Sequence, residues 1–274
     1  MDKEKLLYLK RTASQLRKLI IKMISSAKSG HPGGSLSLAD IVSYLFFHEM
    51  NFNTENYKDD KRDRFILSKG HAAPVLYAAL SLKGFFPQED LSGLRSVDSQ
   101  LQGHPHRLDT PGVEASTGSL GQGLSMASGI ALGNRISGID SNIFAVIGDG
   151  ESQEGQIWEA ALTAGFRKLD KLCLFLDYNN QQIDGNVSDI KDIAPISDKW
   201  RSFKWNVIEI SGHDFEEIDN AVSRFKNETE RPTIIIAKTI KGKGVSFMEN
   251  NLKFHGSAPN EEETEIALKE LDNE

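Results

Sequence analysis

One cysteine in 274 residues, Cys173 inside the apolar run "LCLFLD", excludes a disulfide framework and a thiolate-built metal centre. Basic residues are outnumbered, 32 Lys and Arg against 39 Asp and Glu, for a net charge of −7. A polyanion binder displaces counterions with clustered Lys and Arg, so nucleic acid is not an expected partner. No apolar run approaches the ~20 residues that span a bilayer. The N-terminal "MDKEKLLYLKRTASQLRKLI" is charged from its second residue and lacks the apolar centre of a signal peptide. Familiar site signatures are missing as well. No G-x-G-x-x-G opens a helix after the first strand, "GSLGQG" at 118–123 follows no apolar run, and "KGKG" at 241–244 lacks the Walker spacing. A G-x-S-x-G serine elbow is absent too. These absences predict a soluble, cytoplasmic protein that binds neither nucleic acid nor membrane.

What is present is an ordinary globular composition, with 39% apolar and 26% charged residues, enough for one large α/β domain over residues 1–274. Leu6, Leu9, Leu16, Leu19, Ile20, Met23 and Ile24 recur at helical spacing, predicting a helix from 4 to about 28. Glycines and a proline in "SGHPGG" predict a loop, after which "SLADIVSYLFFHEM" resumes helical periodicity. "DRFILSKGHAAPVLYAALSLKG" reads as strand, Lys-Gly-His turn and helix, and "GLSMASGIALGNRI" as a helix able to pack closely. Four short runs, "NIFAVIG", "LCLFLD", "FKWNVIEI" and "PTIIIAKT", alternate with helical segments. That is the pattern of a mostly parallel sheet covered on both faces, a three-layer α/β fold. The acidic stretch from about 260, "NEEETEIALKELDNE", reads as a solvated helix or tail.

The stretch "FAVIGDGESQEGQIWEAALTAG" then carries chemistry. If 143–147 form a central parallel strand, Asp149 lies beyond its carboxyl end, where open α/β sheets bind ligands. Gly148 and Gly150 would permit a tight turn and close backbone approach. A helix starting near 153 would aim its N-terminus at the same place, favouring an anion such as phosphate. Beside phosphate an aspartate needs a hard cation between them. Asn179 follows Asp149 by 179 − 149 = 30 residues, room for one helix and one strand, which brings it to the same edge. Carboxylate, amide and backbone carbonyl oxygens completed by diphosphate suit Mg²⁺, with Ca²⁺ or Mn²⁺ able to substitute. Four histidines sit in glycine-containing turns: His31 in "GHPGG", His71 in "KGHAA", His104 in "QGHPH" and His255 in "FHGSAP". Such a cluster suits a substrate rich in hydroxyls, or a developing alkoxide. His48, His106 and His213 share no such setting and read as structural.

Six segments in order, "SGHPGGSLSLADI", "LSKGHAAPVLYAAL", "TGSLGQGLSMASGIALG", "GDGESQEGQIWEAA", "DYNNQQIDG" and "KGVSFMENNLKFHGSAPN", resemble the diphosphate-binding domain of transketolases over nearly the whole chain. The resemblance implies the thiamine diphosphate-binding fold and transfer of a two-carbon ketol unit from a ketose or ketose phosphate to an aldose or aldose phosphate. It implies metal ligation by the side chains of Asp149 and Asn179 and by the Gln181 carbonyl. His71, Gly150, Lys241 and His255 would contact the diphosphate, and Gly118 and Leu120 the aminopyrimidine. His31, His104 and His255 would face substrate, and Glu154 would reach across an interface to the partner's cofactor-activating glutamate. Family members usually continue into a pyrimidine-binding domain and a C-terminal domain, neither of which is found here. The resemblance therefore implies the N-terminal subunit of a split enzyme, paired with a C-terminal subunit in an α2β2 heterotetramer. The alternatives are a component of another thiamine diphosphate enzyme and a noncatalytic cofactor-binding or regulatory subunit.

Overall fold

The structure is a computed structural model that describes residues 1–273; Glu274, the last residue of the acidic segment, lies outside the described residues. Its helices are α1 (Lys3–Ala27), α2 (Pro32–Leu36), α3 (Ala39–Tyr44), α4 (Ala73–Leu82), α5 (Gln122–Ser137), α6 (Gly155–Phe166), α7 (Val187–Ile190), α8 (Ile196–Ser202), α9 (Phe215–Asn227) and α10 (Glu261–Asp272). Its strands are β1 (Arg64–Leu67), β2 (Ile143–Gly148), β3 (Leu172–Tyr178), β4 (Asn206–Ser211) and β5 (Thr233–Lys238). They form one sheet in the order β1-β2-β3-β5-β4, with every pair parallel.

Strand side chains alternate between two cores, as the two-residue period of a strand requires. Phe144, Val146, Cys173, Phe175, Ile235 and Ala237 face one core, shared with α1, α3, α4 and α9. Ile143, Ala145, Ile147, Leu172, Leu174, Leu176, Ile234 and Ile236 face the other, shared with α5, α6 and α8. Both faces are dry, so the strands read as continuous apolar runs, and the three layers follow. Cys173 is buried in the first core as a small apolar residue.

Four local expectations change. "HPGGSL" is not a loop throughout: Pro32 opens α2, at the first helical position where its missing N–H costs nothing. The turn at Asp149 uses ordinary dihedrals (φ −66°, ψ −43°), and neither Gly148 nor Gly150 has positive φ. What Gly150 provides is room, since a Cβ there would lie 3.1 Å from Gln182 Cβ. A 3-10 turn, Gly150–Gln153, precedes α6, whose start at Gly155 is later than the pattern implied. The acidic segment is a docked helix rather than a wholly solvated end. Ala267 and Leu271, one turn apart, are buried against α1, and Asn260 with Glu263 forms a capping box.

Helix α6 passes so close to the turn after α8 that a Cβ on Gly165 would sit 1.9 Å from the Phe203 carbonyl oxygen. Gly165→Ala is therefore expected to lose about 1–3 kcal/mol of stability. Gly129→Ala, on the exposed face of α5 with open space around it, is expected to gain about 0.5–1 kcal/mol. Urea unfolding of the two variants checks the opposite signs.

Candidate active site

The register of β2 against β3 sets the site. Gly148 pairs with Asp177, so Asp149 and Asn179 leave the sheet side by side at its carboxyl edge. Asp149, almost fully buried, accepts from Gly150 N (2.8 Å), Asn179 N (3.0 Å) and Asn180 N (2.5 Å). Asn179 Oδ1 accepts from Gln181 N at 3.1 Å, an Asx turn that carries the chain past the site. Asn180 takes the left-handed conformation (φ 60°), which asparagine tolerates better than most residues. The asparagine pair thus has two local jobs. The Asp149 carboxyl is pushed up to about 6 by burial and then by nearby Asp177. A carboxyl so placed gains from a cation.

These residues open onto a cleft of about 360 Å³ that is also lined by His31, His71, Gly118, Leu120, Gly150, Glu154, Lys241 and His255. Gln181 Oε1 is buried there without a hydrogen-bond partner among the described residues. Lys241 Nζ donates to the Gln181 carbonyl at 3.3 Å and to His255 Nδ1 at 2.8 Å. Burial, then Lys69, lowers the Lys241 pKa to about 8, leaving it mainly cationic at neutral pH. Gly118 has φ +148°, and a Cβ there would meet the His104 ring at 2.9 Å, so only glycine fits. His104 stands at the exposed rim against Gly118, outside the cleft lining itself. Glu154 is exposed at the mouth, its Cβ 3.1 Å from the place a Gly121 Cβ would take.

Two buried acids and a half-buried histidine, none given a role by the motif reading, hold this arrangement. Asp177 accepts from Lys69 Nζ (2.5 Å), Ser37 Oγ (2.7 Å) and Thr239 Oγ1. Burial alone would raise its pKa, but Lys69 and the two hydroxyls hold it below the usual range. Glu151 accepts from Ser68 Oγ (2.5 Å), Gly121 N (2.8 Å) and Gly148 N (3.1 Å), joining the ends of β1 and β2 to the start of α5. Both acids lie inside or beside the conspicuous segments, yet only the convergence of distant parts of the chain reveals their work. His213 supports the loop that carries Lys241: its Nε2 accepts from Ile240 N at 2.9 Å, which places its proton on Nδ1, facing Asp40 at 2.7 Å. Arg17 completes that chain by donating to Asp40 at 2.5 Å.

His31, His71 and His255 form a triangle with ring centroids 5.3–5.6 Å apart. Burial, then Arg95, lowers His31 to about 4, and burial, then Lys241, lowers His255 to about 3. His71 is pushed well below its ordinary value by burial, then Lys69. At neutral pH the triangle is uncharged and lies beside two ammonium groups. Such a cleft can hold an anion together with a hard cation and hydrogen-bond a neighbouring polyhydroxylated molecule.

Residues 9–273 match the family described as transketolase, thiamine diphosphate binding domain. The chain belongs to this family. It is 45% identical over 266 residues to 6-deoxy-6-sulfo-D-fructose transketolase subunit SqwG of Clostridium sp. (strain MSTE9), covering 97% of each chain. It is 37% identical to an apulose-4-phosphate transketolase subunit of Phocaeicola vulgatus, covering 93% of this chain and 90% of that one. The crystal structure of transketolase from Campylobacter jejuni superposes with a TM-score of 0.92 at 37% identity, covering 99% of this chain and 43% of that one. The chain thus spans less than half the length of that transketolase and the whole of the two named subunits, to within a tenth. The three-layer α/β fold is the transketolase cofactor-domain fold.

The buried charges of this transketolase domain set its response to mutation and to pH. Asp177→Ala strands the Lys69 ammonium and is expected to cost about 3–5 kcal/mol in urea unfolding, and the Lys69→Met/Asp177→Leu double variant less. For the histidines, the folded-state pKa lies below 6.5, so the unfolded chain binds more protons and stability falls as pH drops from about 6.5 towards 4. Asp149, raised to about 6, opposes this as pH falls through that value, and Glu151, raised by burial, acts in the same direction. Urea midpoints from pH 7 to 5, without cofactor or metal, are expected to decrease, and His31→Gln/His255→Gln to flatten the dependence.

Proposed function

We propose that this chain is the diphosphate-binding subunit of a two-chain transketolase, with thiamine diphosphate and Mg²⁺ held in the cleft. The observation that carries the reading is the convergence of Asp149, Asn179 and the Gln181 carbonyl beside Lys69, Lys241 and three neutral histidines. The residues fit the group. The carboxylate, amide and carbonyl oxygens are the hard donors that Mg²⁺ takes, and two ammonium groups would balance the remaining negative charge of a diphosphate. Asp149, Asn179 and Gln181 would hold the cation, and His71, Gly150, Lys241 and His255 the diphosphate. Gly118 and Leu120 would contact the aminopyrimidine through backbone atoms.

Thiamine diphosphate, when bound, supplies the carbon nucleophile and electron sink that carbon–carbon cleavage in a ketose requires. The chain's own residues position and hydrogen-bond. His31 and His255, uncharged, would meet substrate oxygens inside the cleft, and His104 would do so from the rim. Glu154 stands where a covering subunit could reach it. The relatives named as subunits match this chain over almost their whole length, which supports a separate C-terminal subunit; the proposed assembly is an α2β2 heterotetramer in the cytoplasm. On the mutually packed helices α5 and α6, Met126, Ile136, Leu162 and Phe166 are exposed, Phe166 by 70%. An apolar face of this kind suits burial by that subunit. Donor and acceptor are proposed to be a ketose and an aldose, free or phosphorylated.

The test is reconstitution. Mixed with a separately purified subunit carrying the pyrimidine-binding domain, the chain is expected to transfer ketol units that neither component transfers alone. Asp149→Ala is expected to lower the rate of the mixture on the order of a hundredfold or more while circular dichroism stays unchanged. Enzymatic turnover by the isolated chain would contradict the two-chain reading, and full activity of Asp149→Ala would contradict the assigned metal site.

A further inference from the structure

Arg95 has no acidic partner among the described residues, yet it is not simply a solvated cation. It follows the 3-10 turn Gln88–Gly93, and its backbone N–H donates to Leu101 O at 2.8 Å. Half-buried, its guanidinium lies within 3.2–3.3 Å of where a Gly103 Cβ would be. Nη1 donates to Ser29 Oγ at 3.0 Å, and Nη2 approaches His31 Nδ1 at 3.4 Å. A guanidinium only donates. The Nδ1 atom it faces must therefore present a lone pair.

We propose that Arg95 is a positioning residue for His31: it holds Nδ1 as an acceptor and so fixes the imidazole proton on Nε2, making His31 a neutral donor to a substrate oxygen. The atom left with the proton, Nε2, makes no hydrogen bond among the described residues, and His31 lines the cleft. The neighbours reinforce the neutral state. Arg95, His104, Lys241 and Lys69 all oppose a positive charge on His31, and the rings of His71 and His255 flank it. A neutral N–H can stabilise negative charge developing on a hydroxyl or carbonyl oxygen without giving up its proton. The substrate role rests on the transketolase reading above, but the tautomer does not.

The experiment has two arms. In the isolated full chain, nitrogen-15 NMR of the imidazoles, with His31 assigned by its loss in His31→Gln, is expected to show Nε2 protonated, Nδ1 bare and no titration near pH 6.5. In Arg95→Met the two tautomers are expected to mix and the pKa to rise towards 6.5, because a cation beside the ring has gone; Arg95→Lys is expected to restore the original state in large part. In the reconstituted enzyme, Arg95→Met is expected to lower kcat/KM roughly tenfold to a hundredfold and to move the acidic limb of its pH profile upward, with rescue by Arg95→Lys. A proton on Nδ1 in the unaltered chain, or no change of tautomer and titration in Arg95→Met, would overturn the assignment whatever the activity. An intact NMR result with no ketol transfer in any mixture would instead count against the transketolase reading alone.

Discussion

A fully buried carboxylate, Asp177 at the end of β3, is the constraint on which the cleft depends. An isolated charge in a dry interior is prohibitively costly, so Asp177 must be matched, and its partners come from three distant segments. Ser37 lies between α2 and α3, Lys69 follows β1 and Thr239 follows β5. Satisfying one charge therefore draws together the loops that line the site. Glu151 does the same on the other side of β2, tying the β1 end and the α5 start to the turn that carries Asp149. The carboxyl edge of the sheet is organised by two buried acids, and the ligand-facing groups stand on that frame.

The electrostatics of the cleft are a consequence. Lys69 is held by Asp177, and Lys241 is held by the Gln181 carbonyl and His255. Both lysines are buried and line the cleft. Positive charge on a neighbouring imidazole is then penalised twice, by burial and by repulsion, which is why His31, His71 and His255 stay neutral. Asp149 has the opposite problem, a carboxylate crowded by burial and Asp177. A divalent cation held by Asp149 together with an anionic ligand would answer both imbalances.

Much of this is legible in the sequence because it is local or periodic. Four apolar runs, each bounded by turn residues, are parallel strands, and the 30-residue step from Asp149 to Asn179 is one helix and one strand. The histidine turns are visible through their glycines, and the structure brings His31, His71 and His255 into one cluster. His104 stays at the rim. Asp177 and Glu151 are not legible, since a buried charge is recognisable only when partners from far along the chain are in place. Nor are the Arg17–Asp40–His213 chain and the Arg95–His31 contact, whose members are 23 to 173 residues apart. Pro32 reads as a stop in the sequence, although proline also serves as a helix start. The buried face of α10 is hidden by its acidic composition, although Ala267 and Leu271 are spaced one turn apart.

The central claim is that the cleft is a joint cation and diphosphate site, and calorimetric titration with thiamine diphosphate and Mg²⁺ tests it most directly. Heat of binding is predicted to require both components, to be weak for the chain alone, and to strengthen when the covering subunit is present. Equally tight binding in the absence of any divalent cation, or no binding even with the covering subunit present, would contradict the account.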